Sequence, residues 1–347
     1  MKVVVTVLSV LLVILVSTVG FFIISRKSDF SAQRRQYGAL ESEGAVRENL
    51  PDDFLDDSLP INRIRLLATH NSSHKQADPL RLFLVERGES GEAVKLKYSH
   101  PSLYRQMDLG IRSFEMDLRY RAGRFENTHV PLVDDRSGCP DFQLALQEIR
   151  LWSDRHPSHV PLIVLIEIKE DWTMLDPRLA PWNGETLILL DETIESVLGD
   201  RVLRPGEIRG SRESVRDGAV LDGWPLLGES RGKVLFALMA DNPRDDLFTP
   251  AFMDRPERIS FLMAGPDSLQ TAFVKRDDPS ADDIGQLVEQ GIIVRSRADA
   301  DLDFGPGRKA AAVASGAQIV STDFPDGYDT NPDEYSVGWG DLHREID

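Results

Sequence analysis

The chain has 347 residues, enough for one large domain or two small ones, and its 41% hydrophobic content supports a sizeable core. A formal charge of −17 argues against nucleic acid, which needs a basic footprint, and against adsorption of the whole protein to anionic lipid. With one cysteine, Cys139, neither an intrachain disulfide nor a cysteine-based metal cluster can form.

Val3 to Ile24 is apolar and uncharged, bounded by Lys2 and by Arg26 and Lys27. About 20 such residues span a hydrocarbon core. A cleaved signal has a shorter apolar region and a small-x-small site, which VSTVGFF does not offer. Residues 1–27 therefore read as a transmembrane helix that anchors the chain, with secretion after cleavage as the alternative. Residues 28–60 are polar and read as a stalk or linker, with weak helix potential from Ala32 to Glu48. Its acids Asp52, Asp53, Asp56 and Asp57 read as solvated. Arg26, Lys27, Arg34 and Arg35 outnumber Lys2, which by the positive-inside rule keeps the body cytoplasmic.

From Ile61 onward short apolar runs alternate with amphipathic ones. Strands are predicted at Arg63 to Thr69, Ser113 to Leu118, Phe125 to Val130, Leu162 to Ile168, Val234 to Leu238, Ser260 to Met263, Ile292 to Val294 and Gln318 to Thr322. Helices are predicted at Leu103 to Leu109 (N-capped by Ser102), Phe142 to His156, Leu187 to Leu198, Ile284 to Gln290 and Pro306 to Ala314. Near-continuous apolar strands separated by helices imply a parallel sheet buried on both faces. Eight of them fit an α/β fold of the (β/α)8 TIM-barrel type over residues 61–328, with 329–347 as a C-terminal tail. No glycine fingerprint follows the first strand, which disfavours a dinucleotide fold.

In such a barrel chemistry sits at the carboxyl ends of the strands. There the chain places His70 and Asn71, then Glu115 and Asp117, His129, Glu167 with Lys169, Arg295 and Arg297, and Asp323. Glu115 and Asp117 are two apart in a strand and so share a face, where they repel unless a cation intervenes. Glu167, in LIVLIEI, needs a partner too: Lys169 or Arg119 in an ion pair, or a metal. Three carboxylates and the Asn71 amide make an all-oxygen set that suits Ca²⁺, and Mg²⁺ less well. His70 and His129 are candidates for proton transfer. Arg295 and Arg297, on one strand face, are placed to meet phosphate, and Lys169 joins them as a candidate substrate contact. The remaining histidines read as structural. Ser72 and Ser73 lack a G-x-S-x-G elbow, so a serine hydrolase is unsupported. Trp172 is a candidate lipid contact in a loop beside the site; Trp152, Trp182 and Trp224 read as packing.

ATHNSSH (68–74), FEMDLR (114–119), ENTHVPLVDDRSGCPDF (126–142), LWSDRHPSHVPLIVLIEIKED (151–171), RGKVLFAL (231–238), VRSRADAD (294–301) and GAQIVSTDFP (316–325) together resemble the Ca²⁺-dependent phosphatidylinositol-specific phospholipases C of bacteria and fungi. They resemble more distantly the catalytic barrel of the animal phosphoinositide enzymes. The resemblance implies a distorted TIM barrel and a phosphatidylinositol-class membrane substrate. It implies Ca²⁺ bound by Asn71, Glu115, Asp117 and Glu167. His70 would stabilise the transition state, Glu115 or another metal-bound acid would take the inositol 2-hydroxyl proton, and His129 would protonate the diacylglycerol oxygen. Where the animal enzymes carry lysines for extra ring phosphates this chain has ALMAD (237–241), so polyphosphorylated inositides are not expected substrates. A weak Ca²⁺ site fits an extracytoplasmic body, against the local charge count. Two other readings remain at this level: a glycerophosphodiester phosphodiesterase, whose usual His-Arg-Gly is here His70-Asn71-Ser72, and a membrane-tethered lipid-binding protein without turnover.

Overall fold

The computed structural model describes residues 2–43, 54–240, 243–244, 246–301, 303–329, 331–332, 335–342 and 345–346. Eight parallel strands close into a barrel. They are β1 (Leu66–Thr69), β2 (Ser113–Arg121), β4 (Leu162–Ile168), β6 (Val234–Met239), β7 (Ser260–Met263), β8 (Thr271–Lys275), β9 (Ile293–Arg297) and β10 (Ile319–Thr322). Each pairs with the next, and β1 pairs with both β2 and β10, which closes the ring. Alternation sorts the side chains. Phe114, Met116 and Leu118 of β2 and Val164 and Ile166 of β4 point outward, to a cluster that includes Leu146, Ile149 and Trp152 of the helix Phe142–Arg155. Ile163, Leu165, Ala237, Phe261, Phe273, Ile293 and Ile319 belong to the second cluster, inside the barrel. Glu115, Asp117 and Glu167 take the inward parity, and the β2–β4 register sets Asp117 directly beside Glu167.

The strand count of eight holds, but one of its members changes. Phe125 to Val130 is not a barrel strand: β3 (Arg124–Asn127) folds back antiparallel on the end of β2, and β5 (Leu179–Ala180) extends the same ribbon. The eighth barrel strand is instead β8, which the sequence pattern concealed. No helix separates it from β7, and the register between them shifts at Leu262 and Met263. Without a helical period to mark a boundary, residues 260–275 read as one strand and a loop.

The segment expected to be a stalk departs further. One helix, α1 (Lys2–Ser42), runs through both the apolar and the polar stretch, with no proline before Pro51 to interrupt it. From Lys2 to Ser17 it is exposed. From Phe22 it lies along the barrel flank, with Phe22, Arg26, Asp29, Phe30 and Gln33 buried. Arg26 meets Glu126 at 2.5 Å and Thr128 at 2.7 Å; Asp29 takes Arg136 at 2.6 Å and Lys75 at 2.9 Å; Gln33 brackets the backbone of Asp141. Asp52, Asp53 and His343 lie outside the described residues. The C-terminal stretch packs too: Val337 and Leu342 are buried, and the Ile346 amide donates to the Arg63 carbonyl at 2.9 Å.

Glu148, on the helix Phe142–Arg155, is sealed inside the protein, and burial pushes its carboxyl up to about 7 against the opposing pull of the Tyr104 backbone and Gln33. The unfolded chain therefore gives up this proton first. Stability falls as pH rises from about 4.5 to about 7, by about 3 kcal/mol, and the penalty is complete above that window. Glu148→Gln should raise the melting temperature by roughly 5 °C at pH 8 and leave it nearly unchanged at pH 4. An equal effect at both pH values, in paired thermal melts, would contradict this origin.

Candidate active site

His70 follows β1 directly. Its Nδ1 lies 2.8 Å from Asp323 Oδ1, just past β10. The carboxylate can only accept, so Nδ1 carries the hydrogen and Nε2 is left as the acceptor. That atom faces Arg297 Nη1 at 3.4 Å and Glu115 Oε1 at 3.9 Å. Burial works against the Asp323 charge, but His70 and Arg297 outweigh it and hold this carboxyl well below its ordinary range. Asn71 comes next with φ of 44°, a left-handed conformation that asparagine tolerates, and its amide nitrogen donates to Tyr98 Oη at 3.3 Å. Ser72 has a structural task. Its Oγ accepts from the Glu115 amide at 2.8 Å while its own amide donates to the Glu115 carbonyl, tying β1's exit to β2.

His129 sits in the loop after β3, not at the end of a barrel strand. Its Nδ1 meets Asp134 Oδ2 at 2.7 Å, and Asp134 also lies 3.3 Å from His74 Nε2. Arg119 holds the loop by donating to the Thr128 and His129 carbonyls at 3.1 and 2.6 Å. Burial lowers the His129 pKa, but the hydrogen bond that its Nδ1 donates to Asp134 and the charge of Asp117 prevail and raise it. Asp134, named nowhere in the sequence reading, is thus the counterpart of Asp323. The signal was available in PLVDDR, five residues on from the histidine, but only the loop's closure explains it.

The carboxylates are neutralised by different cations. Glu115 is paired with Arg295, which also holds Asp277 and is itself buried. Lys169 Nζ lies between Glu167 Oε1 at 2.8 Å and Asp117 Oδ1 at 3.2 Å. Burial and the neighbouring Asp117 raise the Glu167 carboxyl; for Asp117, burial is outweighed by Lys169, His129 and His70, and its pKa falls. Lys169 is shifted up because its two acids overcome its desolvation. Asp117 Oδ1 is buried without a hydrogen-bond partner, despite the nearby ammonium. Asn71, Glu115, Asp117 and Glu167 thus match Ca²⁺ in donor chemistry. Among the described residues, no three acidic, histidine or cysteine side chains form a ready cage, and Lys169 fills the gap between two of the four.

His70, Asn71, His129, Glu167, Lys169 and Arg297 line one cavity of about 170 Å³, with Asp299 and Asp323 at its wall. Glu115 and Asp117 lie beneath it, and Arg295 is withdrawn into ion pairs. Beside the cavity runs an apolar groove of about 420 Å³ lined by Leu84, Val85, Val130, Val133, Trp172 and Leu175, sharing His129, Glu92 and Leu96 with it. Trp172 is about half exposed there, while Trp152, Trp182 and Trp224 are buried.

Comparison with known proteins identifies the family and the fold. The profile of the family described as phosphoinositide phospholipase C, Ca²⁺-dependent, matches residues 59–128 and 119–345. The chain belongs to that family. Its barrel is similar to a calcium-dependent phosphoinositol-specific phospholipase C from a Pseudomonas species in complex with myoinositol, with 17% identity, TM-score 0.57 and coverage of 79% of this chain and 95% of that one. It is also similar to the Streptomyces antibioticus Ca²⁺-dependent phosphatidylinositol-specific enzyme, with 18% identity, TM-score 0.54 and coverage of 76% and 94%. These likenesses show the fold. An uncharacterized protein of Mycobacterium tuberculosis strain H37Rv is 25% identical over 186 residues, 47% of this chain and 35% of that protein. The chain thus spans about a third of the length of the curated relatives it matches.

Asp134→Asn should lower the His129 pKa, since it removes the charge-assisted hydrogen bond that offsets burial. An NMR titration of the imidazole, assigned through His129→Gln, measures this; an unchanged midpoint would show that Asp134 does not hold the proton there.

Proposed function

We propose that the protein is a Ca²⁺-dependent phosphodiesterase that cleaves phosphatidylinositol to diacylglycerol and a cyclic inositol phosphate. The observation that carries this reading is the pair of histidines on one cavity, each fixed through Nδ1 by a buried carboxylate, with Arg297 beside His70. Such a cavity suits a phosphodiester. Arg297 binds its oxygens. The inositol 2-hydroxyl proton passes to the Glu115–His70 pair as that oxygen forms a bond to phosphorus. The bond from phosphorus to the glycerol oxygen breaks, and His129, whose protonated form Asp134 favours, delivers a proton to the departing oxygen. Ca²⁺, held by Asn71, Glu115, Asp117 and Glu167, would supply compensating charge for the phosphate. The apolar groove beside His129 supports a lipid leaving group. The free apolar length of α1 supports a membrane anchor, and a weak Ca²⁺ site fits a body outside the cytoplasm.

The first test is the product set from a mixed phospholipid panel with Ca²⁺, Mg²⁺ or chelator. Diacylglycerol and cyclic inositol phosphate are expected from phosphatidylinositol, with loss on chelation and a fall of about 10²-fold or more in His70→Ala or His129→Ala. Glycerol phosphate as product, or full turnover in the double variant, would refute the mechanism. His129→Ala should leave metal affinity intact, while Glu115→Gln and Asp117→Asn should weaken it. A reporter fused after Asp347 that is active only in the cytoplasm would refute the orientation.

Lys169 and a metal compete for the same carboxylates. Lys169→Met should therefore tighten Ca²⁺ binding measured by calorimetry; equal or weaker affinity would show that the ammonium and the ion do not share the site.

A further inference from the structure

A second cavity, of about 390 Å³, lies between α1 and the barrel, away from the histidines. One wall is a stripe of α1 at helical spacing: Ile23, Arg26, Lys27, Phe30, Ser31 and Arg34. The other is the β2–β3 ribbon with the loops at Pro131–Leu132 and Asp176–Leu179. Six cations line it: Arg26, Lys27, Arg34, Arg121, Arg124 and Arg178. Three acids answer them, the lining residues Asp135 and Asp176 and the fully buried Glu126, so three positive charges are in excess. Glu126 fixes Arg26 at 2.5 Å, Arg124 at 2.6 Å and Arg121 at 3.3 Å, so these guanidiniums are held in place before any ligand arrives. Arg26 is nine-tenths buried and its Nε has no hydrogen-bond partner. Among the described residues Lys27 and Arg34 pair with no acid.

We propose that this cleft binds the headgroup of an anionic glycerophospholipid, as a site separate from the catalytic one. The inference rests on α1 remaining in the membrane, not on the reaction. Its position selects a lipid over a soluble anion. The apolar run from Val3 to Phe21 measures about 28 Å at 1.5 Å per residue, close to the thickness of a hydrocarbon core, and Val3 to Ser17 of it is exposed throughout. Arg26 and Lys27 therefore fall in the headgroup layer, where basic side chains attract anionic lipid. The cleft is also amphiphilic. Ile23, Phe30, Pro131, Leu132 and Leu179 give it an apolar side suited to the glycerol ester region, while the arginines face a phosphate. The chain's net charge of −17 makes this a local exception, which concentrates anionic lipid at one place on an otherwise repelling body.

The test uses the full chain in detergent with equal mole fractions of dioleoyl phosphatidylglycerol and dioleoyl phosphatidylcholine, read by native mass spectrometry. Wild type should retain phosphatidylglycerol with at least about tenfold preference. The triple variant Lys27→Gln, Arg34→Gln, Arg124→Gln, which leaves Arg26 and Arg121 on Glu126, should lose that preference while keeping the wild-type melting curve. No preference in wild type, or preference retained in the variant, overturns the proposal. Displacement of the lipid by an equal concentration of soluble glycerol phosphate overturns the lipid assignment. The same spectra report intact mass: a mature chain lacking residues 2–43 overturns anchor and cleft together, whereas an intact chain without preference overturns the cleft alone.

Discussion

The structure depends on how negative charge is managed inside a closed barrel. Strand alternation sends Glu115, Asp117 and Glu167 inward, where an isolated carboxylate would cost several kcal/mol or hold its proton. Arg295 and Lys169 come from strand β9 and the end of β4 to meet them. Arg295 is buried and Lys169 largely so because each has an acid to meet. The ion pairs therefore set which side chains can converge at the carboxyl ends of the strands, and leave the histidines free on the cavity side.

The same logic recurs one layer out. His70 and His129 come from separate parts of the chain, yet each is backed by a buried aspartate, Asp323 and Asp134. The two are not equivalent. Asp323 is shared with Arg297, whereas Asp134 is shared with His74. The first arrangement places fixed positive charge next to the imidazole. The second raises the loop histidine's pKa against its burial.

Most of the barrel and the inward acids were legible in the sequence because both follow from a period of two. LIVLIEI and SFEMDL announce buried strands, and parity alone places Glu115 with Asp117. Three features were not legible. The β8 strand has no helix before it, so no change of period marks it. The placement of His129 on a loop depends on β3 turning back, and a short apolar run looks alike whether it crosses a barrel or folds into a ribbon. The helical course of residues 28–42 depends on partners far along the chain, Arg136 and Asp141 among them, which composition cannot announce. The stretch reads as a stalk, whereas Asp29, Phe30 and Gln33 are buried against the barrel, Asp29 through ion pairs with Arg136 and Lys75.

The unbroken course of α1 has a further consequence. The helix passes from its free apolar part to its barrel-bound part without a proline and without a change of helical state. Barrel and helix then move as one body, and with α1 held in a bilayer as proposed the candidate site would keep a fixed tilt and height above it. On that reading encounters with a lipid substrate would become a search in two dimensions. Rate would follow the mole fraction of substrate within the same leaflet and not its amount per litre, and vesicles without the protein would be spared however much lipid they carry.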